Sequence, residues 1–172
     1  MCILREQYNK IIITRWFDEY WGETYNEGIV AELAAPAIHM VPSLHRTRAG
    51  HLDMRLFMSE YRAAFPDLCF RPVGDMIAEG DLVVVRWEGG GTHTGKAMGD
   101  FATRLLREHS GRKMWISGTT VLTVRNGRIE REQILFDGVA AMTQLGLMRP
   151  ATPEEWSSNQ ENFARYRPLK AS

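Results

Sequence analysis

At 172 residues, 44% hydrophobic and 24% charged, the chain has soluble-globular composition and the length to bury roughly 70% of its unfolded surface. Its 21 basic and 21 acidic residues cancel, so nothing steers it towards nucleic acid or an anionic membrane, and little charge opposes self-association. Two cysteines, Cys2 and Cys69, exclude a disulfide framework and a thiolate metal cluster.

In chain order, residues 4–22 predict an amphipathic helix, with Leu4, Tyr8, Ile11, Ile12, Trp16, Phe17 and Tyr20 on its apolar face and Gly22 at its end. Arg5, Glu6, Asn9 and Lys10 break up any signal-peptide pattern, and no apolar run is long enough to span a bilayer; the cytoplasm is the expected location. A short helix follows from Glu27 to Ala35, stopped by Pro36, then a short strand Ile38–Val41 and a polar loop, 42–50. Residues 51–65 predict a third helix on a broad stripe of Met54, Phe57, Met58 and Tyr61, closed by Pro66-Asp67. Strands then take over. Leu68–Ile77 is weakened by Pro72 and Gly74, Glu79-Gly80-Asp81 is a turn, and an apolar strand runs from Leu82 through three glycines to His93. Residues 94–113 are a polar connection. Segregated helices and strands argue for α+β, a curved antiparallel sheet packed on N-terminal helices with an apolar pocket between.

Asn126-Gly127, between two alternating runs, predicts a tight hairpin. With no irregularity, Val124 opposes Ile129, Leu122 opposes Arg131, Thr120 opposes Gln133 and Ile116 opposes Asp137. Asp137, Thr120 and Gln133 then share the face of Ile116, Leu122, Val124, Ile129 and Leu135. A carboxylate there is a pocket acid/base group or the N-cap of the helix 138–145 that follows. The opposite face would carry Glu130, Glu132 and Thr123 beside Val121, Ile134 and Phe136, an apolar patch that predicts a homodimer or higher homo-oligomer.

YRAAFPDL (61–68), Glu79-Gly80-Asp81 before an apolar strand, GTHTG (91–95), and NGRI followed by FDGVAAMTQLG (136–146) together resemble the SnoaL-like polyketide cyclase family of the nuclear transport factor 2-like superfamily. The resemblance covers about residues 8–146 and implies a cone-like domain over 1–146, with 147–172 an irregular tail packing Trp156, Phe163 and Tyr166 on the body or a partner subunit. It also implies ring closure or a related lyase or isomerase reaction on a mostly apolar, polyketide-like carbonyl compound, without metal or cofactor. Asp137 takes the place of the family's acid/base aspartate and His93 that of the histidine in GTHTG. Thr120 stands where some cyclases carry a second histidine. Residues 96–113 replace a short proline-containing turn, which points to a role in substrate choice.

Each candidate also has an ordinary reading. His93 shares strand parity with Val83, Val85 and Trp87, so it is a pocket imidazole or a hydrogen-bonded structural histidine. Thr120 and Gln133 would donate to an enolate oxygen or satisfy one another. Trp87 and Trp115 offer aromatic surface to a small apolar or aromatic carbonyl ligand, or fill the core. Hydrolysis of an epoxide or ester in the same pocket, and ligand binding without chemistry, are the alternatives. His39, His45, His51 and His109 match no metal-ligand spacing, and His45 with Arg46 and Arg48 reads as a solvated loop or a cap on the pocket.

Overall fold

The computed structural model describes residues 2–99, 106–149 and 152–155, with the side chains of Cys2 and Ile3 left aside; most of the predicted tail, with its three aromatics, lies outside them. Helix α1 (Cys2–Trp16) runs into one π-helical turn, Phe17–Trp21, then α2 (Gly28–Leu33), β1 (Ala34–Pro42), β2 (Arg48–Ala49) and α3 (Gly50–Ala64). Strands β3 (Cys69–Pro72), β4 (Ile77–Glu79), β5 (Leu82–Thr92), β6 (Lys113–Arg125) and β7 (Arg128–Phe136) lead to α4 (Gly138–Gln144). One sheet results, ordered β2-β1-β7-β6-β5-β3, with β4 pairing β5 beyond β3. The α+β architecture is as expected, a curved, largely antiparallel sheet against N-terminal helices, except that β1 lies parallel to β7. Among the described residues no helix is long and apolar enough to cross a membrane.

The first helix is rotated from the predicted face. Leu4, Tyr8 and Ile11 are exposed, while Asn9, Ile12, Ile13, Trp16, Phe17, Tyr20 and Trp21 are buried. Its first half docks by polar contacts: the Glu6 carboxylate accepts from the Gly80 amide, and Asn9 donates to the Gly80 carbonyl. Its second half is turned by the π segment. An α-helix sets residues five apart about 140° from each other. The i→i+5 bonding of a π turn stacks them, so Trp16 and Trp21 reach the same side.

The hairpin turn is as expected, with Asn126 and Gly127 both at positive φ (50° and 73°), the requirement of a two-residue type I′ turn. The pairing beyond it is corrected. Val124 opposes Ile129, but Thr123 already opposes Arg131, so Glu130 is an extra residue on β7. Past this bulge Leu122 faces Glu132, Thr120 faces Ile134 and Gly118 faces Phe136. A one-residue shift flips every later side chain. Glu132, Ile134 and Phe136 therefore turn inward, and Arg131, Gln133 and Leu135 face outward. The patch that suggested a dimer loses Glu132, Ile134 and Phe136 to the interior.

Candidate active site

The inward face of β5–β7, the π turn and α3 enclose a pocket. It contains about 420 Å³ of atom-free space, open mouth included, most of it slots between rings too narrow for a water molecule. Phe17 and Trp21 come from the π turn, Phe57 and Tyr61 from α3, and Phe70, Trp87 and Phe136 from three strands. Neighbouring rings meet mostly edge to face: Trp21 with Phe70 at 5.6 Å between centroids, Phe70 with Trp87 at 5.1 Å, and Trp87 with Phe136 at 6.3 Å. This geometry is favourable for aromatic pairs and leaves ring faces for a flat apolar ligand.

The polar atoms are few. Thr120, 1% exposed, accepts a hydrogen bond from the Trp87 indole N–H at 2.8 Å. Its own hydroxyl hydrogen has no acceptor among the described residues. Burial pushes the Tyr61 phenol well above its usual range, so it stays protonated and remains a donor. His45 lines the pocket, with its ring 5.5 Å from Phe57 and 5.7 Å from Tyr61. Gly118 shapes the wall. A Cβ there would stand 2.3 Å from the Trp87 ring and 2.5 Å from the Leu135 carbonyl, so only glycine lets the indole cross β6 towards Thr120.

Of the six residues singled out in the sequence, Thr120 and Trp87 meet in this pocket. Gln133 lies on the outer face, because the bulge reverses its parity. Trp115 is 49% exposed outside the pocket, its backbone N–H and carbonyl bonded to the Gln144 side chain beyond the end of β7. His93 is buried just past β5, away from the pocket lining. Its Nε2 is 2.8 Å from the Lys96 carbonyl, and Nδ1 is 2.9 Å from the Ser110 hydroxyl and accepts from the Ser110 amide. The ring thus clips together the two ends of the 96–113 connection. Asp137 is exposed and caps α4, its Oδ1 accepting from the Ala140 amide at 2.9 Å. It stands at the rim. Phe136 before it lines the pocket, and Gly138 after it packs against Leu44, the neighbour of His45. Described parts of the 96–113 connection bond to the end of α3, through Gly95 to Ala64 and Lys96 to Ala63; residues 100–105 lie outside the described residues.

Three groups escaped the sequence reading: His45, Tyr61 and Glu132. Glu132 is fully buried, with Oε1 accepting from the Trp21 indole at 2.9 Å and Oε2 from that of Trp16 at 3.2 Å. Burial pushes its carboxyl up to about 7, against the opposing pull of the Trp21 and Trp16 bonds. The one available signal was the run Ile134-x-Phe136, whose parity conflicts with that of Ile129.

A family model described as SnoaL-like polyketide cyclase matches residues 11–145. The chain belongs to that family. Solved structures agree with this SnoaL-like assignment at the level of fold. A candidate SnoaL-like polyketide cyclase of Jannaschia sp. CCS1 is 22% identical with a TM-score of 0.70, over 84% of this chain and 95% of that one. A candidate polyketide cyclase of Acidithiobacillus ferrooxidans is 26% identical with a TM-score of 0.63, over 83% and 96%. A protein of Catenulispora acidiphila DSM 44928 with a ketosteroid isomerase-like fold, in complex with trimethylamine, is 19% identical with a TM-score of 0.62, over 83% and 97%. No curated protein matches the sequence. Family and fold together point to cyclase or isomerase-type chemistry on a small molecule in this pocket.

Proposed function

We infer that this SnoaL-like chain is a cofactor-independent cyclase, isomerase or lyase acting on a mostly apolar, flat, polyketide-like carbonyl compound. One observation carries the reading: an aromatic-walled pocket whose polar atoms, at Thr120 and Tyr61, are hydroxyl donors. A carbonyl that becomes an enolate gains negative charge on oxygen, and preorganised donors in a water-poor site stabilise that charge most. Thr120 is suited to this role, since the Trp87 bond to its oxygen sharpens its hydroxyl as a donor. Asp137 at the rim is the base for the proton alpha to the carbonyl, and its Oδ2 is left available while Oδ1 caps α4. His45 is placed to return the proton. His93 acts at a distance by holding the 96–113 connection.

The test is a panel of aromatic and polyketide-like carbonyl compounds followed by mass. Isomerisation or aldol closure leaves the mass unchanged, dehydration removes water, and hydrolysis adds it. Added water across the panel would replace this reading with an epoxide or ester hydrolase. A second reading, ligand binding without chemistry, is favoured by one specific observation: Asp137 is already engaged as a helix cap. Tight binding with no turnover of any compound would establish it.

The outward sheet face supports a homodimer on new grounds. Trp115, Leu135 and Val139 are 49%, 55% and 64% exposed, beside half-buried Val121 and Thr123. Apolar side chains gathered on an uncovered sheet face favour burial against a second copy. Light scattering should return twice 19.7 kDa at micromolar concentration, and the single mass would remove the idea.

A further inference from the structure

Glu132 is the only fully buried carboxylate among the described residues, and the proposed chemistry does not use it. The geometry points to Glu132 as the positioning residue of the pocket: its carboxylate holds the Trp21 indole in place as a pocket wall, and taking up a proton loosens that wall. The inference rests on the pocket being the ligand site.

Two structural irregularities converge on this carboxylate. The bulge at Glu130 turns residue 132 inward, and the π turn brings Trp21 round to the side of Trp16. Without either, the two indole donors and two acceptor oxygens would not face one another. The ionised form matches its surroundings completely, each oxygen accepting one N–H. The protonated acid converts one oxygen into an O–H, which needs an acceptor where both indoles offer only donors. One of the two indoles must then give way. Trp16 is wedged in the core, stacked on Tyr20 at 4.3 Å between centroids. Trp21 meets Phe57 and Phe70 edge to face at 6.3 and 5.6 Å and borders the open pocket, so it is the indole free to shift.

No other nearby group competes for this titration. On the sheet, Glu132 lies between Met40 of β1 and Leu122 of β6. From the helices it meets Trp16, Trp21 and Tyr20, and burial with the Glu132 charge keeps the Tyr20 phenol protonated. The charges behind Tyr20, Arg48 and Asp53, pair with each other at 3.3 Å. The carboxyl itself titrates at about 7, so both states are populated near neutrality. Because Glu132 is already without solvent contact, a ligand adds little desolvation, and its affinity follows the order of the Trp21 wall.

The experiment combines near-ultraviolet circular dichroism of the full chain with calorimetric binding of 2-naphthol, which is uncharged between about pH 5.5 and 8.5, the window that brackets the titration. The dichroism should change in one step near neutrality. Affinity for 2-naphthol should rise about three- to tenfold from the acid to the alkaline end, the weight of one hydrogen bond. Glu132→Gln should be flat in both readouts, with affinity at the acid-end value. Glu132→Asp, which keeps the charge, should restore a step. His45→Gln is the control for the pocket histidine and should keep the step. Flat wild-type profiles, a step that survives in Glu132→Gln, or one lost in His45→Gln would each overturn the proposal. If Glu132→Gln does not fold, nuclear magnetic resonance of the wild type decides. The Glu132 carboxyl and Trp21 Nε1–H signals should share one midpoint, and separate midpoints sink the idea. Failure of 2-naphthol to bind at any pH would count against the pocket reading, while the indole titration still judges Glu132.

Discussion

Glu132 and Asp137 are both carboxylates, five residues apart, yet the strand and its exit place them in opposite surroundings. Glu132 sits in the floor, without solvent contact, both oxygens occupied by indoles. Asp137 sits on the rim, exposed, with one oxygen capping a helix. A group that exchanges protons with a substrate must reach it directly or through one water. A group that organises the wall must not be diluted by solvent. Floor and rim divide these tasks: burial sets the protonation of Glu132 near neutrality, while exposure gives Asp137 access. The fold delivers the division through one extra residue in β7, which reverses parity between the turn and the strand end.

The largest effect should come from the rim. Asp137→Asn preserves shape and a weakened cap but removes the proton-accepting carboxylate, so kcat should fall about 10²–10⁴-fold with ligand affinity within roughly tenfold. Were Asp137 only a cap, the variant would lose about 1 kcal/mol of stability and turn over normally once folded. Single-turnover kinetics and denaturant unfolding on one preparation separate the two.

The floor should answer in stability. The folded-state carboxyl of Glu132 titrates at about 7, above its model value of 4.5. Between these pH values the folded chain holds a proton that the unfolded chain has released. Stability therefore falls as pH rises through this window and is level above it. Against Glu132→Gln, which lacks this titration, the wild type should lose roughly 3 kcal/mol between the acid and alkaline limits. Urea midpoints of both proteins across the window measure it, and parallel profiles would mean that the carboxyl is not held in this state. Floor and rim would then differ in exposure alone.

Much of this contrast was legible in outline. Segregated helices and strands, the Asn126-Gly127 turn and the ordered family motifs were sufficient for the α+β sheet and the pocket between helices and sheet. The site was less legible because parity carries an error forward. An unbulged β7 puts Arg131 and Gln133 inside and Ile134 and Phe136 outside, which is a poor exchange for a core. Shifting one residue buries the two apolar side chains but also Glu132, at a cost met only by two indoles from a helix over a hundred residues earlier. The π turn that aims Trp21 leaves no periodic trace in the sequence, which is also why Leu4, Tyr8 and Ile11 were assigned to the wrong face. His93 looked like a pocket group from strand alternation, but its partners, Lys96 and Ser110, come from beyond the strand.

The smallest effect sharpens the comparison from inside the pocket, where Thr120 lies between floor and rim in character: buried like Glu132, but with a hydrogen still to donate. Thr120→Val keeps the shape and removes the hydroxyl. The Trp87 N–H, donated to Thr120 at 2.8 Å, then has no acceptor, which should cost about 1–3 kcal/mol of stability. A purely structural threonine would stop there, with kcat normal on the folded fraction. A donor to a developing enolate oxygen should in addition lower kcat while KM changes little, because the charge it stabilises forms only in the transition state. Trp87→Phe is the matched control: it deletes the N–H and leaves the threonine hydroxyl in place. If Thr120→Val and Trp87→Phe lower stability alike but only Thr120→Val lowers kcat, the hydroxyl works on the substrate. If both lower kcat equally, the pair shapes the pocket without donating into it, and oxyanion stabilisation falls to Tyr61.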